Sequence, residues 1–307
     1  MAGPKEKKGK LILTDRGIDP KKIALGTASL LPGYGITPSG LADNQEEVFR
    51  LFRMAREAGI HLIDTAPVYG NAEELLGWTN KNDFQIITKI PPLSRTLRTS
   101  KQILQTIGES LKKTGAKKFK GVLFHDPEQL DTAGRSTLLK AAHDLLRQGL
   151  AEKIGLSVYD PENIARWLGM FPFQIVQMPL NPFDQRFEIS GWIQRLQDSG
   201  IEVHARSVFL QGALFLRPGQ LPPCLVKFRT HWEAWHQWLA ELRISPLAAC
   251  LSLVSGLKGV SAIVLGVQSS AQLGDILRTR WPETVRVPEI LSAKEKSMID
   301  PRSWGRT

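Results

Sequence analysis

Short apolar segments recur along the chain and alternate with longer amphipathic stretches. The apolar segments are rich in Val, Ile, Leu and Phe, and most are nearly continuous in hydrophobic character. This pattern is typical of strands that are buried on both faces in a parallel sheet. Eight strands are predicted, at 22–28, 61–66, 84–90, 121–126, 153–158, 173–180, 201–208 and 261–267.

Amphipathic helices are predicted between these strands. In 43–59, DNQEEVFRLFRMAREAG, the apolar side chains recur at helical spacing. Asp43, with Glu46 three residues later, has the pattern of a capping box, and Gly59 is expected to end the helix. Comparable helical patterns follow at 99–115, 132–152, 160–169, 188–200 and 269–279.

The alternation of strands and helices predicts an α/β fold, a closed (β/α)8 TIM barrel in a single domain. We expect the barrel over 22–280, preceded by a basic tail at 1–21 that could cap the bottom of the barrel. A C-terminal tail at 281–307 is expected to wrap the barrel or to fray. An open doubly wound sheet is the alternative. A dinucleotide-binding fold of that type is weakened by the segment GYGITPSG at 33–40, which follows the first strand but does not match GxGxxG.

Composition narrows the class of protein. Of the 307 residues, 42% are hydrophobic and 23% are charged, as in globular proteins. No apolar run reaches the roughly 18–20 residues that span a bilayer, and the N-terminus MAGPKEKKGK lacks the apolar stretch of a secretory signal. Two cysteines are too few for a disulfide framework, so a reducing cytoplasm is the expected compartment.

The formal net charge of +10 is a real excess of basic residues. Lys and Arg are spread along the chain, apart from the N-terminal tail and the segment LKKTGAKKFK at 111–120, which is predicted as a helix C-terminus and loop. An anionic small-molecule cofactor, or plain solubility, explains the excess better than nucleic acid. We expect no nucleic-acid or membrane partner, and a monomer or weak homo-oligomer.

Reactive side chains lie at or just after the ends of neighbouring predicted strands. Asp64 ends the second strand, Tyr69 lies in the following loop, Lys89 ends the third strand and His125 ends the fourth. These positions meet at the catalytic face of a (β/α)8 barrel. Each residue alone has an ordinary explanation, such as a helix cap for Asp64. Together they could act on a carbonyl: Asp64 holds Lys89, Lys89 lowers the pKa of Tyr69, Tyr69 protonates a developing alkoxide, and His125 orients the oxygen.

Three of these strand ends also resemble a known family. The segments IDTAPVYG (63–70), ITKI (87–90) and LFHDPE (123–128), in this order, resemble the aldo-keto reductase superfamily, and the similarity runs over about 22–280. The resemblance implies NAD(P)H-dependent reduction of an aldehyde or ketone, with Tyr69 as general acid/base, Asp64 and Lys89 as the pair that tunes it, and His125 as the substrate-orienting residue. Two alternatives stay open: a cofactor-binding regulatory subunit with little turnover, and a barrel hydrolase or lyase that uses Asp64 and His125 without a cofactor.

The resemblance implies a nicotinamide cofactor, with NADPH preferred over NADH. Ser157 and Gln177 match the residues that hold the nicotinamide carboxamide, although Val158 stands where asparagine is usual. Gly266 and Gln272 match positions where relatives with a strong NADPH preference carry a lysine and an arginine for the ribose 2′-phosphate. The missing charges weaken the expected preference.

The segment HARSVFLQGAL, 204–214, resembles the part of the family that cradles the cofactor pyrophosphate. Arg206 could lie over the nicotinamide or form an ion pair. The candidate cofactor contacts are Ser157, Gln177, Arg206, Ser207, Leu210, Gly212, Gly266, Gln268, Ser269 and Gln272.

The loops offer candidates for the wall of a substrate pocket, namely Tyr34, Trp78, Phe215 and Leu216. Further along, Trp232 and Trp235 are spaced so that they share one face of a helix. This favours a helix that packs this tryptophan stripe against the barrel. A small carbonyl compound is the expected substrate. The segment LGT…YGI…G near the start of the chain and PLNPFDQR (179–186) resemble bacterial reductases encoded alongside sugar-modification enzymes, which points to a sugar-derived carbonyl; simple aldehydes fit equally well. The six histidines are scattered, so we expect no metal.

Overall fold

Eight parallel strands close into a barrel in the computed structural model, which describes residues 15–36, 44–79, 83–283 and 285–304. The strands pair in chain order, and the last returns to the first. This confirms the predicted single-domain (β/α)8 barrel and rules out the open doubly wound sheet. The barrel strands are β2 (Ile23–Gly26), β3 (Leu62–Asp64), β4 (Gln85–Ile90), β5 (Gly121–Phe124), β6 (Ile154–Ser157), β7 (Ile175–Pro179), β8 (Glu202–Arg206) and β9 (Val260–Gly266).

Helices connect the strands, and their ends are set by local signals. The first begins one residue later than the capping box predicted, because the side chain of Asn44 accepts the N–H of Glu47 at 3.1 Å; Asp43 lies outside the described residues. The helices are α1 (Gln45–Glu57), α2 (Ala72–Thr79), α3 (Ser100–Thr114), α4 (Arg135–Arg147), α5 (Ile164–Leu168), α6 (Arg186–Ile189), α7 (Trp192–Asp198), α8 (Arg229–Leu242), α9 (Pro246–Gly256), α10 (Ser270–Arg278) and α11 (Lys296–Ile299).

A small apolar cluster fills the barrel interior, separate from the larger core between strands and helices. We call it the apolar floor; it consists of Leu62, Ile87, Leu123 and Ile175. Side chains two positions apart on a strand point to the same face. The residues two positions beyond the floor therefore form the next layer of the interior. Floor and layer correspond as Leu62 to Asp64, Ile87 to Lys89, Leu123 to His125 and Ile175 to Gln177.

The C-terminal region packs back on the barrel. Two short strands, β1 (Asp15–Arg16) and β10 (Trp281–Pro282), pair antiparallel. Beyond them, the Ala293 N–H donates to the Phe183 carbonyl at 2.8 Å, and His231 bonds the Leu291 carbonyl at 2.7 Å. The described part of this tail therefore lies against the barrel. Residues 1–14 of the basic tail lie outside the described residues, and the division at 22 and 280 stays a prediction.

The tryptophan stripe of α8 packs on the barrel as predicted. Trp232 and Trp235 are fully buried, and their indole N–H groups donate to the carbonyls of Ala213 and Leu214. These bonds fix the loop after β8. No single helix in the described ranges is long and apolar enough to cross a membrane; only the pair 226–242 and 246–256, bent by 87°, passes that test jointly.

Candidate active site

A cavity of about 430 Å³ lies at the carboxyl ends of the barrel strands. Most of the predicted site residues line this cavity, and they come from strand ends and loops that are far apart along the chain. The predicted residues that line it are Tyr34, Asp64, Tyr69, Lys89, His125, Ser157, Gln177, Arg206, Ser207, Gly212, Phe215, Gly266, Gln268 and Gln272.

A buried network joins Asp64 to Lys89 and Gln177. The Lys89 Nζ lies 2.6 Å from Asp64 Oδ1 and also donates to the Thr65 carbonyl at 3.1 Å. Gln177 Nε2 donates to the other oxygen, Oδ2, at 2.7 Å. The Lys89 and Asp64 side chains are only 2% and 6% exposed. Because each carboxylate oxygen has a donor, the buried pair is satisfied and holds the lysine in place.

Tyr69 and His125 lie beside this network. Their rings meet edge to face with centroids 6.0 Å apart, and Lys89 Nζ is 5.2 Å from the centroid of the Tyr69 ring. The turn after β3 positions Tyr69, whose N–H donates to the Ala66 carbonyl at 3.0 Å. A phenol, an ammonium group and an imidazole thus converge on one point of the cavity.

Burial sets the protonation states of these two rings. Desolvation in the cavity raises the pKa of Tyr69, the Asp64 carboxylate adds to this, and Arg206 opposes it. Desolvation likewise lowers the pKa of His125 to about 4, with help from the positive charges of Lys89 and Arg206. At neutral pH the phenol keeps its proton and the imidazole is uncharged. The direction for Tyr69 is opposite to the one expected from Lys89, because burial of the phenol, aided by the Asp64 carboxylate, raises its pKa.

The loop after β8 carries an unusual run of left-handed backbone. Ser207, Leu210 and Gln211 have φ values of 56°, 47° and 53°, and Gly212 has 90°. Such backbone is costly for residues other than glycine and is found where a loop is shaped for a ligand. Asn181 Nδ2 donates to the Ser207 carbonyl at 3.0 Å and helps to hold the loop. Leu210 is fully buried and does not line the cavity, so it anchors the loop.

At the far end of the cavity, the N-terminus of α10 is satisfied from within the protein. Ser269 is the N-cap and accepts the Gln272 N–H at 3.1 Å, while Gln272 Oε1 accepts the Gln268 N–H at 2.8 Å. Glu47 Oε1, from α1, accepts both the N–H and the hydroxyl of Ser270, at 2.7 and 2.6 Å. Glu47 was not predicted as a site residue, because nothing near it in the sequence indicates a partner on the last barrel helix.

Comparison with known proteins decides the family. The model of the aldo/keto reductase family matches residues 22–281. The chain belongs to the aldo/keto reductase family. Aldo/keto reductases use nicotinamide cofactors and act on small carbonyl compounds.

Individual aldo/keto reductases share the fold at low identity. Aldo-keto reductase YhdN of Bacillus subtilis is 27% identical over 190 residues, 58% of this chain and 55% of YhdN, so the chain matches about half the length of that relative. The structure of aldo-keto reductase AKR11C1 from Bacillus halodurans, in its holo form, superposes with a TM-score of 0.68 at 18% identity, covering 87% of this chain and 90% of that one. PA4992 of Pseudomonas aeruginosa, assigned as an aldo-keto reductase, gives 0.62 at 19% identity, over 86% and 93%.

The aldo/keto reductase cavity has further wall residues that the sequence analysis missed. Tyr159, Pro301 and Arg302 line it. The Arg206 guanidinium lies 4.1 Å from the Tyr159 ring centroid, and that of Arg302 lies 3.4 Å from it. Tyr159 could have been predicted as a wall residue, because it directly follows the predicted strand 153–158. Nothing in the sequence indicates Arg302, which lies in the C-terminal tail beyond the residues that the family model matches.

Three other predicted residues do not line the cavity. Trp78 is on the exposed face of α2 and borders a surface groove with Phe49 of α1. Leu216 is half-buried just past the loop after β8, and Ser269 acts as the N-cap of α10. The described residues contain no group of three or more His, Cys, Asp or Glu side chains that could hold a metal ion.

Proposed function

We propose that this aldo/keto reductase transfers hydride from a nicotinamide nucleotide to an aldehyde or ketone and forms an alcohol. The observation that carries the proposal is the buried Asp64–Lys89–Gln177 network beside Tyr69 and His125, in one cavity at the catalytic face of the barrel. A protein that only packed its core would gain nothing from burying this pair. A small carbonyl compound, either a sugar-derived one or a simple aldehyde, is the proposed substrate.

The lining of the cavity supports the binding of a nicotinamide nucleotide. Ser157 and Gln177 are paired in register on β6 and β7, and both line the cavity. Gln177 uses its amide N–H on Asp64, which leaves its Oε1 to accept from a carboxamide. Gly266 and Gly212 present no side chain to the cavity that they line, and both positions favour glycine: a Cβ on Gly266 would lie 3.1 Å from Ser29, and Gly212 has φ 90°. When bound, the reduced nicotinamide supplies the hydride.

Tyr69 supplies the proton in this proposal. Its phenol is protonated at neutral pH, the state that a general acid needs. The carbonyl oxygen gains negative charge as its carbon accepts hydride, and the Tyr69 hydroxyl donates a proton to it. Lys89 then faces the developing phenolate and stabilises it. His125 is neutral, and its buried Nδ1 has no partner among the described residues. The neutral imidazole can donate one hydrogen bond to the same oxygen.

The choice between NADPH and NADH is a separate question. The preference for NADPH stays a prediction, and the acidic side chain of Glu47 at the N-terminus of α10 counts against it. The oligomeric state, a monomer or weak oligomer, and the cytoplasmic location also stay predictions.

Tyr69→Phe tests the proposal directly. We expect the dissociation constants of NADPH and NADH, followed by tryptophan fluorescence, to stay close to wild type. The kcat for aldehyde reduction should fall by about 10²–10⁴-fold, the usual contribution of a general acid. Tyr34→Phe removes another phenol hydroxyl from the same cavity and should cost far less.

Each outcome of this test has a clear meaning. If Tyr69→Phe retains most of its turnover, the acid role is wrong. If wild type binds either nucleotide but reduces no aldehyde in a broad panel, the protein is a cofactor-binding regulatory subunit instead.

A further inference from the structure

One positive charge at the catalytic end of the cavity has no counter-ion. Among the charged side chains that line the cavity, Lys89 pairs with Asp64, Asp275 pairs with Arg278, and Arg302 pairs with Asp300. Arg206 makes no ion pair within 4.0 Å in the described ranges 15–36, 44–79, 83–283 and 285–304. Its charge helps to lower the pKa of Asp300, but that carboxylate is already paired with Arg302. Two guanidinium groups thus share one carboxylate, and this part of the cavity keeps one excess positive charge.

Arg206 is half-buried and held in place. Its Nη2 donates to the Val158 carbonyl at 2.9 Å, its Nη1 donates to Ser207 Oγ at 3.1 Å, and its guanidinium lies against the ring of Tyr159. These contacts fix the geometry but do not neutralise the charge. Keeping an unpaired cation partly out of water costs free energy, which an anionic ligand would recover.

The neighbourhood of Arg206 places this charge near the reacting carbonyl. Its positive charge acts to lower the pKa of both Tyr69 and His125. These are the two groups that face the carbonyl oxygen in the proposed mechanism. An anion that pairs with Arg206 therefore lies close to the site of hydride transfer. The substrate occupies that region.

A second guanidinium comes from outside the family match. Arg302 lies against the same Tyr159 ring, and Asp300 holds it through Nε and Nη2, at 2.9 and 2.6 Å. The segment is tied down nearby, since Trp304 donates to the Ser297 carbonyl at 3.0 Å and Lys296 lies 3.1 Å from Asp160. Two guanidinium groups thus flank one aromatic ring at the cavity wall.

We propose that Arg206 and Arg302 together bind an anionic group, carboxylate or phosphate, on the carbonyl substrate, and so make the enzyme selective for anionic aldehydes or ketones. The inference rests on the proposed reductase function and names its substrate class. Arg206 supplies the net charge, and Arg302, whose Nε and Nη2 already bond Asp300, supplies the remaining N–H donors of its guanidinium group to carboxylate or phosphate oxygens.

Matched substrate pairs test the proposal. Butanal is compared with 4-oxobutanoate, and glyceraldehyde with glyceraldehyde 3-phosphate, so that each pair differs by one anionic group. We expect kcat/KM to be at least about tenfold higher for a charged member, the size of one charge-assisted hydrogen bond. A gain in the first pair alone identifies a carboxylate, and a gain in the second alone a phosphate. Equal values within both pairs would overturn the proposal.

Variants separate binding from a structural role. Arg206→Gln and Arg302→Gln should each raise KM for the preferred charged substrate by about tenfold, with a smaller change for its neutral partner. Arg302→Lys keeps the charge without the fork and should recover part of the loss. Arg147→Gln, at an exposed site that pairs with Asp144 on α4, changes the net charge equally and should leave the ratio within each pair at its wild-type value.

Cofactor titration separates this inference from the proposed function. If Arg206→Gln weakens NADH and NADPH binding but leaves the substrate ratios at their wild-type values, Arg206 serves the cofactor and the inference fails. If wild type binds neither nucleotide and reduces neither class of aldehyde, the proposed function fails as well. Reduction of neutral and anionic aldehydes with equal kcat/KM would sink the inference and leave the reductase function standing.

Discussion

At the scale of single residues, Asp64 has one donor on each of its oxygens, Lys89 on one and Gln177 on the other. This arrangement changes the role that the sequence suggested for Lys89. The charge of Lys89 is paired with Asp64, and burial of the phenol, aided by the Asp64 carboxylate, keeps Tyr69 protonated, the state that the proposed acid role requires. Motifs could identify these side chains, but the direction of a pKa depends on burial and on second neighbours, which a motif does not record.

His125 gives a pH-dependent prediction. Its pKa is about 4 in the folded protein and near 6.5 when the chain is unfolded. The unfolded chain therefore takes up a proton as the pH falls below about 6.5, while the folded protein does not. The contribution of His125 to the free energy of unfolding is therefore fully present above about pH 6.5 and declines as the pH falls to about 4. Below about pH 4 this group causes no further change. Urea unfolding of wild type and of His125→Gln across this range measures the difference.

The control for this prediction is His61→Gln. His61 is exposed to solvent in the folded protein, and its replacement should leave the shape of the stability curve intact. A wild-type curve that runs parallel to that of His125→Gln from pH 7 to pH 4 would show that the imidazole is not held neutral.

At the scale of elements, α2 and α3 approach each other very closely. A Cβ on Gly77 of α2 would lie 1.9 Å from the Lys113 carbonyl oxygen of α3. The buried carboxyl of Glu73 adds a bond to Ser110 Oγ at 3.0 Å between the same helices. This packing fixes the direction of α2, and it turns Trp78 outward, away from the cavity. Helical periodicity alone could not show which face of so short a helix meets its neighbour.

Gly77→Ala is expected to destabilise the protein by at least about 2 kcal/mol, as overpacking against rigid backbone does. Gly108→Ala in α3 is the matched control, because a Cβ there meets nothing within 4 Å. It should be neutral or stabilise by up to about 1 kcal/mol through helix propensity. Urea unfolding measures both, and similar effects of the two substitutions would contradict the proposed close contact.

At the scale of the whole molecule, the ring of helices closes where α1 meets α10. Glu47 bonds Ser270 across 223 positions of sequence at this seam. Strand positions and the polar residues at strand ends were predictable, because they depend on neighbours in sequence. Glu47 and Arg302 were not, because their contacts, to Ser270 and to the Tyr159 ring, join segments that are far apart in the sequence. The seam also borders the far end of the cavity, where the sequence resemblance predicts the adenosine of a bound dinucleotide.

Glu47→Gln should therefore shift cofactor preference toward NADPH. Removing the carboxylate charge should tighten NADPH relative to NADH by about two- to fivefold, the size of a charge effect at a helix terminus. Fluorescence titration measures both dissociation constants. Glu46→Gln, whose side chain is 85% exposed on the same helix, removes the same charge and should leave the ratio close to wild type. Equal effects of Glu47→Gln on the two nucleotides would show that the 2′-phosphate lies elsewhere.

The apolar floor limits how protons travel. Leu62, Ile87, Leu123 and Ile175 lie directly beneath the reactive layer and carry no group that can pass a proton. In the proposed mechanism, a proton that leaves Tyr69 is therefore not replaced through these four side chains. The mouth of the cavity is the direct route for the next proton from solvent, and the product departs by the same route. Reprotonation of Tyr69 is therefore linked to the exchange of product for new ligands. Slow release of the product would delay reprotonation as well.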